Sequence, residues 1–177
     1  TLPPVLRPAI DPARFYPAAA KPALGPVRVG YMPRKNKALA AMIRHMAEAR
    51  TARTGICYEF ATIDGLSPDG VAEVLRGCHV FLATGFPEGC PLPPLEALAC
   101  GCVVAGFAGF GGFDYMRQAR SGGHVPSVPL RPVAWGGNGF YAGDNDVFAA
   151  GACLEQAARL WLEGGAALET VLKNGRL

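Results

Sequence analysis

With 177 residues, 50% of them hydrophobic and 18% charged, the chain can bury one real core and is too apolar to be a disordered segment. The net charge of +3 is uneven: ten Lys and Arg against two acids over residues 1–53, then seven against twelve over 54–177. A nucleic-acid surface interleaves aromatic side chains with its cations; this block is mostly a helix and a linker, so nucleic acid is set aside for an anionic small ligand or a solvated face.

Seven prolines among Thr1–Pro26 (positions 3, 4, 8, 12, 17, 22 and 26) forbid regular structure and read as an extended linker. Val27 to Tyr31 is the first expected strand. Met32-Pro33-Arg34-Lys35-Asn36 is the loop after it, and a helix follows from about Lys37 to Arg50. Its apolar residues Leu39, Met42, Ile43 and Met46 fall at helical spacing and form the expected buried stripe. Arg34 and Lys35 stand at a strand's carboxyl end just before a helix. Two such cations can neutralise a diphosphate, while two solvated loop cations are the commoner fate of a bare Arg-Lys pair.

Tyr58 to Ile63 is the second strand, ended by Asp64-Gly65. Ser67 caps the next helix with Pro68 at its first position, and Val71, Val74 and Leu75 make its apolar face. His79 to Ala83 is the third strand, with His79 read as a structural histidine and not a general base. The six cysteines, at 57, 78, 90, 100, 102 and 153, form no C-x-x-C pair. Cys78-His79 has no companions at zinc spacing. They read as reduced, mostly buried thiols of a cytosolic protein, and no metal is expected.

The chemistry-bearing stretch runs from Glu88 through Glu96 to Gly106. Pro93-Pro94 give a stiff lead-in, Leu95 to Cys100 a short helix ended by Gly101, and Cys102 to Ala105 the next buried strand. Strand, loop, helix and strand make a βαβ unit, whose loop lies at the carboxyl edge of the sheet, where open α/β sheets bind ligands. Glu96, placed in the helix's first turn, is either a dipole-complementing glutamate or the acceptor of two hydrogen bonds from a ribose diol. Unpaired amides at that helix start would receive the adjoining phosphate. Glu88, in the loop, would face whatever the phosphate carries.

Glycines from Gly106 to Gly112 let backbone approach a ligand closely, and Phe110 or Phe113 stacks on that ligand or packs in the core. Tyr115 to Arg120 is an expected short helix, and 121–139 a long Gly- and Pro-rich loop with room for one edge strand. Asn138 to Tyr141 is the last strand. Asp144-Asn145-Asp146 caps a helix from Val147 to Glu163 with Phe148, Leu154, Ala158, Trp161 and Leu162 inward. Ala166 to Lys173 closes the chain. The longest uncharged run, Ala97 to Phe113, holds five glycines in 17 residues and is no membrane span. Strands alternating with helices at this spacing argue an α/β, doubly wound parallel sheet.

The string Glu88-Gly89, then Leu92-Pro93-Pro94-Leu95-Glu96-Ala97-Leu98-Ala99-Cys100-Gly101, resembles the signature of retaining glycosyltransferases of the two-Rossmann-domain (GT-B) architecture. Cys90-Pro91 departs from it, standing where many members have an aromatic residue and a glycine. The resemblance implies that this chain is the C-terminal, nucleotide-sugar donor half of such an enzyme, used in carbohydrate biosynthesis. Residues 1–26 would be the interdomain linker and 27–177 the Rossmann-like donor domain. Arg7 to Pro17 is similar to the family's segment leading into that domain.

The resemblance further implies that Glu88 touches the donor sugar at the reacting centre. Glu96, Arg34, Lys35, Gly89, Leu92, Pro93 and Leu95 would hold the nucleotide, with no cofactor and no metal. A preceding domain of the same enzyme would hold the acceptor, a saccharide, lipid or small molecule, and the isolated chain would be inactive. The full enzyme would be cytoplasmic, at most peripheral to a membrane. A nucleotide-sugar epimerase of the same architecture and a non-catalytic nucleotide-binding module are the competing readings.

Overall fold

A computed structural model of the chain describes residues 8–109, 111–112, 115–119 and 136–176. Among them five parallel strands form one sheet in the order β2-β1-β3-β4-β5. They are β1 (Val27–Tyr31), β2 (Tyr58–Thr62), β3 (Val80–Ala83), β4 (Val103–Phe107) and β5 (Gly139–Ala142). The helices are α1 (Lys37–Ala49), α2 (Thr51–Thr54), α3 (Pro68–Arg76), α4 (Leu92–Ala99), α5 (Val147–Glu163) and α6 (Gly165–Gly175).

Both faces of the sheet are covered, and alternation along each strand assigns its side chains. Val27, Val29, Val80, Leu82, Val103, Ala105, Phe107, Phe140 and Ala142 turn to the side packed by α1 and α5. Phe81, Ala83, Cys102, Val104 and Tyr141 turn the other way, toward Ala72 and Leu75 of α3 and Ala97 and Leu98 of α4. Each fully buried Val, Leu or Phe contributes about 1.5–3 kcal/mol, which outweighs exposed pairs such as Arg28–Glu59, worth about 0–1 kcal/mol each. The core, not surface charge, fixes the register.

Several details differ from expectation. Met42 is 54% exposed, and the buried stripe of α1 is Ala40, Ile43 and Ala47 with Leu39 packed beside it. On α5, Phe148 is 82% and Leu162 45% exposed. Leu154, Ala158 and Trp161 are buried as expected, together with Ala150, Cys153, Ala157 and Leu160; the four small residues among these let α5 lie close to the sheet. Residues 115–119 are not helical: Gln118 bridges Gly139 in parallel, so this segment runs alongside β5. Arg120, Phe110, Phe113 and the loop 120–135 lie outside the described residues.

Residues 8–26 contain no helix or strand but are docked on the domain. Phe15 is buried in the α3–α4 core. Arg14 pairs with Asp69 at 2.7 Å, and the Arg76 guanidinium lies over the Tyr16 ring. The Lys21 ammonium reaches the carboxyl ends of α3 and α4, where it meets the carbonyl oxygens of Leu75, Arg76, Cys78 and Cys100.

His79 is fully buried and structural, as expected. The Arg28 amide donates to its Nδ1 at 3.0 Å, so the proton sits on Nε2, 3.0 Å from the Pro22 carbonyl oxygen. That tautomer ties the proline-rich segment to β1. Burial lowers the His79 pKa below its ordinary 6.5. The unfolded chain therefore binds a proton that the native state refuses, so stability is complete above about pH 6.5 and declines as pH falls toward the lower native value. The expected outcome is a His79 ring that stays neutral below pH 6.5 in a nuclear magnetic resonance titration, with urea midpoints falling over the same window. A ring protonating at or above 6.5 would contradict it.

Candidate functional site

β1 and β3 are adjacent although α1, β2 and α3 intervene in sequence, with Val29 opposite Val80 and Tyr31 opposite Leu82. The chain leaves β1 for α1 on one face and leaves β3 for α4 on the other. This is a topological switch point, and the carboxyl ends of the two strands border an open crevice. A cleft of about 410 Å³ lies there, within the usual range for small-molecule sites. Its walls include Arg34, Lys35, Asp64, Glu88, Leu92 and Pro93.

Asn36 holds the two loops together. It adopts a left-handed φ of 55°, which Asn tolerates better than most residues. Its side-chain amide donates to the carbonyl oxygens of Thr84 at 2.9 Å and Phe86 at 3.1 Å. One rung of side-chain bonding thus sets the loop carrying Arg34 and Lys35 against the loop carrying Glu88. Lys35 Nζ and Glu88 Oε1 are 2.6 Å apart. The Glu88 side chain is 22% exposed and Lys35 51%, so the pair contributes at most about 1 kcal/mol and does not lock the cleft. Arg34 lines the same wall with no ion pair or hydrogen bond among the described residues.

The glycine-rich segment after β4 supports the Glu88 loop from below. A side chain at Gly111 would overlap the carbonyl of Gly89, and one at Gly85 would stand 3.0 Å from Glu88 Oε1. Gly109, at φ 55°, donates its amide to Asp144 Oδ1 at 2.9 Å. The close approach that the backbone of this segment makes among the described residues is to the Glu88 loop.

Helix α4 begins at Leu92, three residues earlier than expected, with Pro91 as its N-cap and Pro93 and Pro94 at its second and third positions. Proline carries no N–H, so of residues 91–94 only Leu92 offers an amide proton. The expected cradle of several free amides is largely missing. Tyr115 Oη donates to the Pro91 carbonyl at 2.6 Å and fixes this turn. Asn36 gives α1 no side-chain cap, so the amides of Lys37, Ala38 and Leu39 at its start receive none.

Glu96 is the fifth residue of α4, in its second turn, not its first. It is half-buried and forms no hydrogen bond or ion pair among the described residues. Of the expected nucleotide-binding residues, Glu96, Gly89 and Leu95 are not among those that line the cleft. Among the described residues no three His, Cys, Asp or Glu side chains are placed to hold a metal ion. Four cysteines are buried, Cys57 and Cys90 are exposed, and Cys90 borders the cleft.

Burial raises the Glu96 pKa above its ordinary 4.5, the opposite of what a glutamate stabilised by the helix dipole shows. The linked stability is fully present below about pH 4.5 and is lost as pH rises through the raised native value. Glu96→Gln should therefore raise the urea midpoint at neutral pH, the gain vanishing on acidification below pH 4.5. A glutamine variant less stable at neutral pH would restore the dipole-complementing role.

No family model matches the sequence, and no curated protein does. Solved structures do match the fold. The C-terminal domain of a glycosyl transferase group 1 family protein (LpcC) from Francisella tularensis superposes with a TM-score of 0.55 at 14% identity, covering 95% of each chain. The catalytic domain of starch synthase IV from Arabidopsis thaliana, bound to ADP and acarbose, matches at 0.62 and 15% identity over 94% of this chain and 37% of its own. Sucrose-phosphate synthase from Thermosynechococcus elongatus matches at 0.56 and 20% identity, over 94% of this chain and 45% of its own. The chain spans less than half of the two longer proteins. Its five-stranded parallel sheet, flanked by helices, is the Rossmann-like fold of the C-terminal domain of GT-B glycosyltransferases.

Proposed function

We propose that this chain is the nucleotide-sugar donor domain of a retaining glycosyltransferase. The observation that carries the reading is the cleft at the β1–β3 switch, which gathers Arg34, Lys35 and Glu88 on one wall of a sheet with this fold. The chain works with a second domain that binds the acceptor, a saccharide, lipid or small molecule, and is inactive as a transferase alone. Residues 1–26 connect the two.

The donor's diphosphate lies against Arg34 and Lys35, supported by the uncapped amides of α1 and by Leu92 N–H. With three prolines across 91–94, side-chain cations carry most of the charge compensation and no metal is required. Lys35 turns from Glu88 to phosphate, which frees the Glu88 carboxylate for hydroxyls of the donor sugar. Glu96 accepts hydrogen bonds from the ribose diol at the rim of the cleft. Catalysis then consists of orientation and of stabilising the departing diphosphate.

Calorimetric titration of UDP, GDP and ADP into the chain tests the reading. One of them should bind, and Glu96→Ala should weaken that binding by about 1.5–3 kcal/mol, the scale of a hydrogen bond to a charged group. The matching 2′,3′-dideoxy nucleotide should show the same loss on wild type. Removing Arg34 or Lys35 should hurt the diphosphate more than the nucleoside, and less so in added salt. A folded chain that binds none of the three nucleotides overturns the proposal.

In the complete two-domain enzyme, Glu88→Gln should lower turnover by roughly tenfold to a thousandfold. Free-diphosphate affinity should barely change, because that ligand has no sugar for Glu88 to touch. A large affinity loss with normal turnover would exchange the roles of the two glutamates.

A further inference from the structure

The surroundings of Lys21 are those of a bound cation. Its Nζ stands 3.1 Å from the Leu75 carbonyl oxygen, 3.1 Å from Arg76, 2.6 Å from Cys78 and 3.0 Å from Cys100, with Cys102 Sγ at 3.8 Å. An ammonium has three protons, fewer than the four carbonyl oxygens around it, so the cage is a coordination field and not a set of matched hydrogen bonds. Leu75 and Arg76 end α3, and Cys100 caps α4, so the negative ends of two helix dipoles converge on one point. No carboxylate among the described residues pairs with Lys21. Rings of backbone carbonyls without carboxylates suit monovalent cations, whereas divalent ones demand acidic oxygens. Ammonium and K⁺ are of nearly equal radius.

We propose that the cage at the carboxyl ends of α3 and α4 is a monovalent-cation site whose resident in this chain is the Lys21 ammonium. When that ammonium is removed, the site takes K⁺ or NH₄⁺ from solution. Lys21 is thus a tethered ion that pins the proline-rich segment to the domain. The cage lies at the edge where β3 and β4 begin, the cleft at the edge where β1 and β3 end, so this inference does not depend on the proposed function.

The test is thermal unfolding of the full chain and of Lys21→Ala in the chlorides of K⁺, NH₄⁺, Na⁺, Li⁺ and choline at equal ionic strength. Wild type should be indifferent to the cation. Lys21→Ala should lose roughly 5–10 °C in choline and recover at least half of that in K⁺ or NH₄⁺, saturably, with little recovery in Li⁺. Lys21→Met keeps an unbranched side chain in the cage without the charge, and should be destabilised but unresponsive to K⁺. Equal behaviour of Lys21→Ala in every salt overturns the proposal, as does the same cation dependence in wild type. Failure of Lys21→Ala to fold in any of the salts overturns it too, because a cage open to K⁺ would restore the chain.

Discussion

The hydrogen-bonded pairing of β1 with β3 is the constraint on which the rest of this molecule depends. It joins segments some fifty positions apart, with Val29 opposite Val80 and Gly30 opposite Phe81, and sends the connections after the two strands to opposite faces. The loop 32–36 and the loop from Thr84 to Pro91 are thereby side by side with no residue of either chosen for the contact. Asn36 then fixes their spacing with two hydrogen bonds to backbone oxygens. The core on both faces holds the register. A slip of one residue would turn every side chain of a strand to the wrong layer.

How the two glutamates differ follows from where they stand. Glu88 is in a loop that lies against glycine backbone at Gly111, and it has a cation within reach. Glu96 is on a helix flank, half-buried, and no described cation compensates it. Burial holds its carboxyl above the ordinary glutamate range, a cost to the ionised form that the proposed ribose contact would offset.

Most of the architecture was legible because the parallel strands are continuous apolar runs, such as Val80–Ala83 and Val103–Phe107, with Pro and Gly between elements. Ser67-Pro68 announced α3, and its hydroxyl does accept from Gly70 N–H. What failed, failed where residue type and packing part company. Met42 and Phe148 fit a helical period but are exposed, and the buried stripes of α1 and α5 run through other, often smaller, side chains. Residues 115–119 have no local signal for pairing, because a bridge to Gly139 is decided by tertiary neighbours. Arg34, Lys35, Glu88, Leu92 and Pro93, which line the cleft, were nameable one by one, but their grouping was not: Lys35 on Glu88 and Asn36 across two loops depend on a strand order that no local pattern states. Lys21 was passed over altogether, a lone lysine in a proline-rich stretch, since carbonyl cages leave no mark in residue types.

The proline content of α4 connects local structure to chemistry. A helix start offers anions its unbonded amides and its dipole, and proline at the first turn favours the helix by fixing φ. Pro91, Pro93 and Pro94 take the second benefit and surrender most of the first. The dipole persists, but the directed N–H donors are reduced to Leu92. On the proposed reading an anion in this cleft therefore meets the side-chain cations Arg34 and Lys35 and the uncapped amides of α1, with little amide support from α4. Side-chain cations are screened by salt more than buried amides are, and ordering them costs rotamer entropy. The proposed binding would accordingly be more salt-dependent and less preorganised than at a glycine-rich helix start, and the Lys35–Glu88 pair, which sets Lys35 at the cleft wall, would offset part of that entropy.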